Sequence, residues 1–225
     1  MTSNSPQAQV DWEQIDTVLL DMDGTLLDLH FDNYFWLQHL PRRYVDTHGV
    51  TMEAAQEKLH GMFETYRGKL EWYCLEHWSE ALDLDIRALK EEVQERIAMR
   101  PYAIEFLQRL RALNKKLVLI TNAHPQSLSL KLDITAIDQW LDVVISSHEY
   151  RQPKEQQAFW HCLQEQEQFD PKRTLFIDDT VSILESAATY GIKHLLCIHQ
   201  PDSQQERRID AYPAIDHFDE IMPKL

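Results

Sequence analysis

The sequence predicts an α/β fold, a doubly wound parallel sheet carrying an inserted α-helical cap. Three observations lead there. Short apolar runs of β character recur at residues 17–20, 117–120, 142–145, 174–177 and 194–198, and beyond residue 101 they alternate with helical patterns. Between the first two runs, residues 31–100 show apolar spacings of three and four and no strand pattern. Several of the runs stop abruptly in polar side chains, at the edge where parallel α/β sheets carry their chemistry.

Taken in order, the polar start, Met1-Thr-Ser-Asn-Ser-Pro-Gln-Ala-Gln, has neither a basic region nor an apolar core, so it reads as a flexible tail over 1–14 and not a secretory signal. The strand at 17–20 then runs into Asp21-Met22-Asp23-Gly24-Thr25. In the helical block, Met52, Ala55, Leu59, Met62, Phe63 and Tyr66 form one stripe, and Trp72, Leu75, Trp78 and Leu82 a second. A third stripe, Ile86, Leu89, Val93 and Ile97, is opened by Asp85 as N-cap. After Pro101 come helix 103–113, strand 117–120, helix 126–132, strand 142–145, helix 155–166, strand 174–177, helix 181–190 and strand 194–198. Residues 201–208 read as a loop before a short terminal helix at 218–222. The expected organisation is a tail (1–14), a catalytic core (15–29 and 101–225) and a helical cap (30–100). At 225 residues and 44% apolar, the chain can bury one substantial core with a smaller insertion, which fits better than two full domains. No internal repeat or low-complexity segment is present.

Composition narrows the function classes. A formal net charge of −15 with no basic stripe argues against a nucleic-acid polymer as partner, though not against a small phosphate ester. No apolar run is long enough to span a bilayer, so no membrane is expected. Cys74, Cys162 and Cys197 are widely spaced and odd in number, which gives neither a disulfide framework nor a zinc site and suits a reducing, cytoplasmic setting. Nothing in the sequence requires a protein partner.

The chemistry-bearing residues sit at strand ends. Asp21 and Asp23 are one residue apart, and Gly24 lets the chain turn so that both carboxylates surround one small ligand. Crowded carboxylates need a cation, and Mg²⁺, with its preference for a few oxygens and several waters, is the natural candidate. The run 117–120 ends in Thr121-Asn122, Pro153-Lys154 follows the run ending at Ile145, and 174–177 ends in Asp178-Asp179. Acid, hydroxyl, cation and acid therefore arrive in that order.

This set, Asp-x-Asp-Gly-Thr, Thr-Asn, Pro-Lys and Asp-Asp, resembles the four signature motifs of the haloacid dehalogenase superfamily over about residues 16–199, at spacings similar to its capped phosphatases. The resemblance implies a Rossmann-like core and a phosphomonoesterase. Residues 20–29, Phe31-Asp-Asn-Tyr-Phe-Trp36 and Thr121-Asn-Ala-His-Pro125 are similar to the superfamily's bacterial nucleotidases, which implies purine nucleoside 5′-monophosphates, GMP and IMP, as substrates. It further implies Asp21 as nucleophile, forming an aspartyl-phosphate, and Asp23 as general acid and then base. Mg²⁺, with Mn²⁺ or Co²⁺ able to substitute, would be held by Asp21, the backbone carbonyl of Asp23 and Asp179, with Asp178 acting through a water. Lys154 would screen the phosphate charge, and Thr121 and Asn122 would donate to phosphate oxygens.

Substrate choice is expected in the cap. Phe31, Tyr34, Phe35, Trp36, Trp72, Tyr73 and Trp78 offer aromatic faces for a purine, Asp32 and Asn33 could read base or ribose edges, and His124 either faces the site or caps a helix. A sugar-phosphate phosphatase or phosphomutase is the alternative on the same core. Dehalogenation is disfavoured, since displacing a halide needs neither Asp23 as a leaving-group acid nor a second acidic strand end. A non-catalytic phosphate sensor has no physical need to keep such crowded acids.

Overall fold

A computed structural model describes residues 9–224 of the chain. Six parallel strands, β1 (Thr17–Leu20), β2 (Lys116–Thr121), β3 (Val143–Ser146), β4 (Thr174–Asp178), β5 (His194–Ile198) and β6 (Ala214–Ile215), lie in the order β3-β2-β1-β4-β5-β6. The strand that carries Asp21-Met22-Asp23 beyond its end is thus central. Leu20 registers with Leu119 of β2 on one side and with Ile177 of β4 on the other. All of β1 is buried, as a strand covered on both faces must be. Its period-2 alternation divides the core: Val18 and Leu20 join one apolar cluster, while Leu19 joins a second with Val118, Ile120 and Phe176.

The crossovers supply both layers. Helices α7 (Ala103–Ala112) and α8 (Pro125–Thr135) follow the insertion and β2; α9 (Ser147–Tyr150) and α10 (Gln157–Glu167) follow β3, and α11 (Val181–Tyr190) follows β4. The regular elements between β1 and α7 are all helical, namely α1 (His30–Tyr34), α2 (Leu40–His48), α3 (Met52–Tyr66), α4 (Leu70–Tyr73), α5 (Leu75–Leu82) and α6 (Ile86–Glu91), with short turns between them. The expected doubly wound α/β sheet with a helical insertion is the observed fold. The insertion's buried residues, Leu59 and Trp78 among them, belong to the same apolar cluster as Val18 and Phe106 of the core.

Local chemistry explains where element boundaries depart from expectation. Residues 72–82 break at Cys74, whose backbone is extended, and the Trp78 indole N–H bridges the break by donating to the Trp72 carbonyl at 2.8 Å. Asp85 caps α6 as expected, accepting from the Ala88 N–H at 3.0 Å, but α6 ends at Glu91, and the stripe residues Val93 and Ile97, both buried, flank a 3-10 turn, Gln94–Arg96. Between α1 and α2 the helix widens into a π-turn over Phe35–His39. Pro41 has no N–H to continue the ordinary ladder, and the Leu40 N–H reaches back to the Phe35 carbonyl. The terminal helix is a 3-10 turn, Phe218–Ile221, and β6, only two residues long, has no sequence pattern to announce it. Of the expected tail, residues 1–8 lie outside the described residues, whereas Trp12–Gln14 form a 3-10 turn and the Trp12 indole donates to the Ile221 carbonyl at 3.1 Å.

Trp78 anchors the insertion. It is completely buried, with ring centroids 5.5 Å from Trp36, 5.4 Å from Phe63 and 5.7 Å from Tyr66. Trp78→Ala is expected to lower the unfolding free energy by ~3–5 kcal/mol, measured from the shift in urea midpoint, through lost contacts and the residual cavity.

Candidate active site

The carboxyl ends of β1, β2 and β4 open onto one cavity of about 290 Å³, roofed by the insertion. Asp21, Asp23, Thr121, Asn122, Lys154, Asp178 and Asp179 all line it, together with Asp32, Asn33, Trp36 and Trp72 from the insertion. Phe31, Tyr34, Phe35 and Trp78, offered as purine-stacking faces, are not part of the lining, whereas the residues just named are brought together. Their partners differ from expectation in several places.

The Asp21 N–H still donates to the Ile177 carbonyl at 3.0 Å, so its carboxylate leaves the sheet in strand register beside Asp178. The chain then turns sharply, with the Leu26 and Leu27 N–H groups both donating to the Met22 carbonyl. Gly24 has φ +87°, a left-handed conformation that side chains disfavour. A Cβ on Gly24 would also lie 2.8 Å from Asp179 Cγ and 2.9 Å from Pro201 Cβ. Both dihedral and space demand glycine here.

Lys154 organises the acids. Its ammonium, 1% exposed, donates to Asp21 Oδ1 at 2.5 Å, to Asp178 Oδ2 at 2.7 Å and to the Ile120 carbonyl at 3.2 Å. Burial pulls a lysine toward neutrality, but the two carboxylates outweigh it and hold Lys154 above its ordinary value, hence charged. Burial pushes Asp21 up to about 6 against the attraction of Lys154. Asp179 is held well above the usual carboxylate range by burial and by the neighbouring charges of Asp178 and Asp21. Its nearest cation is the Arg207 guanidinium at 3.7 Å.

A divalent cation fits this arrangement. Carboxylate oxygens of Asp21, Asp178 and Asp179 lie within 4.8 Å of one another, all buried, an all-oxygen donor set of the kind Mg²⁺ takes. Three buried carboxylates around one lysine leave excess negative charge for such an ion to neutralise. The Asp23 side chain is engaged elsewhere, which leaves its backbone as the group it could offer.

Asn122 is partly engaged: its Oδ1 accepts from the Lys154 N–H at 2.9 Å and one proton of its Nδ2 goes to Glu155 Oε2 at 3.0 Å, so its amide fixes the lysine loop. Thr121 Oγ1 accepts from the Ala123 N–H at 3.0 Å, which uses a lone pair and not the hydroxyl proton. Asp32, expected to read a substrate edge, has one oxygen 2.7 Å from Lys90 Nζ and the other 2.6 Å from Lys131 Nζ. The Asn33 amide donates to Asp202 at 2.7 Å. Of the aromatics, Phe31, Phe35 and Trp78 are packing residues, 2% exposed or less, part of the insertion's apolar interior with Leu40, Leu59 and Phe63. Trp36 and Trp72 stack on each other at 6.5 Å and still face the cavity. The Tyr73 hydroxyl donates to Glu155 Oε1 at 2.9 Å, joining the insertion to the loop that carries Lys154. His124 caps α8 with Nδ1 and contacts Glu76 at 2.6 Å through Nε2.

Lys131 and Lys90 are the functional-wall residues that sequence reasoning missed. Lys131 donates to Asp23 Oδ1 at 2.6 Å as well as to Asp32. Burial raises Asp23 to about 6 against that attraction, whereas in Asp32 the two lysines outweigh burial and hold it below the usual range. The signal was spacing: Ser127, Leu128 and Lys131 repeat along the buried face of α8, and Ile86, Leu89 and Lys90 along that of α6.

A family model described as haloacid dehalogenase-like hydrolase matches residues 15–191. The chain is 43% identical over 215 residues to the GMP/IMP nucleotidase YrfG of Escherichia coli K12 and, to the same degree, to that of Shigella flexneri, covering 95% of this chain and 97% of each relative. Among solved structures, a HAD phosphatase from Thermococcus onnurineus matches with a TM-score of 0.75 at 22% identity, covering 92% of this chain and 95% of that one. The L-2-haloacid dehalogenase from Xanthobacter autotrophicus matches with a TM-score of 0.52 at 16% identity, covering 84% and 80%. At such identities these two structures share the fold.

Gly24→Ala is expected to cost ~1–2 kcal/mol of stability from the left-handed backbone alone. Because the new methyl group displaces Asp179, it is also expected to weaken Mg²⁺ binding by at least about tenfold, read by isothermal titration against the parent protein.

Proposed function

The chain belongs to the haloacid dehalogenase-like hydrolase family, and within it we propose a Mg²⁺-dependent phosphomonoesterase that converts purine nucleoside 5′-monophosphates, GMP and IMP, to nucleoside and phosphate. The observation that carries the reading is the buried cluster of Asp21, Lys154, Asp178 and Asp179 with Asp23 two residues from Asp21, all lining one cavity. The 43% identity to the GMP/IMP nucleotidases supports the substrate class, and the Trp36–Trp72 pair supplies a stacking wall in the same cavity. A cytoplasmic setting is part of the reading.

Asp21 is the nucleophile. One of its oxygens bonds to phosphorus as the P–O5′ bond breaks, and Asp23 gives its proton to O5′ so that the nucleoside leaves as an alcohol. Asp23 then takes a proton from water, whose oxygen bonds to phosphorus as the bond to Asp21 breaks, releasing phosphate and restoring the Asp21 carboxylate and the protonated Asp23. Lys154 holds the Asp21 carboxylate in place and offsets its repulsion from the phosphate dianion. Mg²⁺ bound by Asp21, Asp178 or Asp179 and the Asp23 backbone would neutralise charge on the transferring group. The Thr121 hydroxyl proton and the second Asn122 amide proton are side-chain donors for phosphate oxygens, and the Tyr73–Glu155 bond holds the roof over the site.

Phosphate release from a panel of nucleoside monophosphates and sugar phosphates tests this. The expected result is kcat/KM highest for GMP and IMP, abolished by chelator and restored by Mg²⁺. A maximum at sugar phosphates would retain the chemistry and remove the nucleotide assignment. Asp21→Asn should lower kcat by at least about 10⁴-fold with an unchanged circular-dichroism spectrum, and retained turnover would remove Asp21 as nucleophile.

A further inference from the structure

Three charged side chains that the steps above do not use, Lys131, Asp32 and Lys90, form an alternating row with the proton donor Asp23 at its end. Lys131 of α8 places its ammonium 2.6 Å from Asp23 Oδ1 and 2.6 Å from Asp32 Oδ2. The other Asp32 oxygen is 2.7 Å from Lys90 Nζ. Lys131 and Lys90 are only 1% and 2% exposed. Lys90 also lies over the rings of Phe31, Phe35 and Trp36 at 4.9–5.5 Å. The row crosses between the two parts of the molecule: Asp23 and Lys131 come from the catalytic core, Asp32 and Lys90 from the inserted helices.

Stability does not account for such a row, because buried ion pairs are often matched or surpassed by apolar side chains of similar volume. Its position does. Asp23 stands on the turn after β1, outside the strand ladder, and Lys131 fastens its carboxylate. A lysine stem is long and flexible, so one contact would not fix its head. Asp32 grips the same ammonium from the other side, and Lys90 holds Asp32 in turn. We propose that Lys131 is a positioning residue for Asp23 and that Asp32 with Lys90 is the insertion's half of the support, so that seating of the inserted helices orients the proton donor. This rests on the reading of Asp23 as that donor.

The test compares two esters that differ in their need for a proton donor. Nucleoside O5′ must be protonated as it leaves, whereas 4-nitrophenolate departs unprotonated, and kcat/KM covers only the steps through phosphoryl transfer to Asp21. Asp23→Asn should lower kcat/KM about 10²-fold or more for GMP and only about threefold for 4-nitrophenyl phosphate. Lys131→Met should reproduce that selectivity, Lys131→Arg should recover part of the GMP activity, and adding Asp32→Asn to Lys131→Met should cause little further loss. Equal losses on both esters, or none, in Lys131→Met while Asp23→Asn still discriminates would overturn the positioning role and leave the phosphatase reading standing. Failure of Asp23→Asn to discriminate would remove the donor assignment and this proposal with it. Should Lys131→Met not fold, Asp32→Asn, which keeps an oxygen for a lysine, carries the same comparison, with a selective loss on GMP expected and an equal loss or no loss overturning the role.

Discussion

The ammonium of Lys154 is the contact on which the rest of the catalytic edge depends. Three carboxylates from two neighbouring strands converge with little exposure to solvent, and without a charged partner they would separate or take up protons. Sheet topology makes the convergence unavoidable. Leu20 and Ile177 are registered partners, so the next residues on each strand, Asp21 and Asp178, emerge side by side. The lysine reaches them only because Asn122, at the end of β2, holds the Lys154 backbone and Glu155 together. Strand order, loop path and charge balance solve one problem jointly.

The insertion repeats the solution with different material. Its interior is aromatic, and the two lysines at its boundary are accommodated by carboxylates and ring faces in place of water. It meets the core at three chemically distinct places: an apolar cluster continuous with that of the sheet, the Tyr73–Glu155 hydrogen bond and the Asp32–Lys131 ion pair. The second and third of these reach, one residue further on, the two flanks of the catalytic pair.

The residues at strand ends were legible because a parallel sheet puts catalytic groups in one predictable place, and an apolar run stopping at Asp21 or Asp178 marks it. The fold class followed from the same runs. What stayed hidden was pairing. Asn122 and Asp32 line the cavity as expected, but which polar group each one meets is a tertiary fact that spacing does not carry. Lys131 and Lys90 were overlooked for a related reason, since an isolated lysine reads as surface unless its position on the apolar stripe is weighed above its charge. The two-residue β6 and the π-turn at Phe35–His39 depend on backbone hydrogen bonds with no side-chain signature beyond Pro41.

Of the chain's six tryptophans, Trp36 and Trp72 form the cavity wall, stacked on each other and, for Trp36, 5.5 Å from the Lys90 ammonium. Indole emission responds to nearby charge and to water, so any molecule entering the cavity alters the surroundings of these two rings while Trp160, deep in the other apolar cluster, keeps its own. The wall that would sort substrates is thereby also a built-in optical gauge. Occupancy of the cavity is thus readable in the unlabelled protein, with the light coming from the proposed stacking wall.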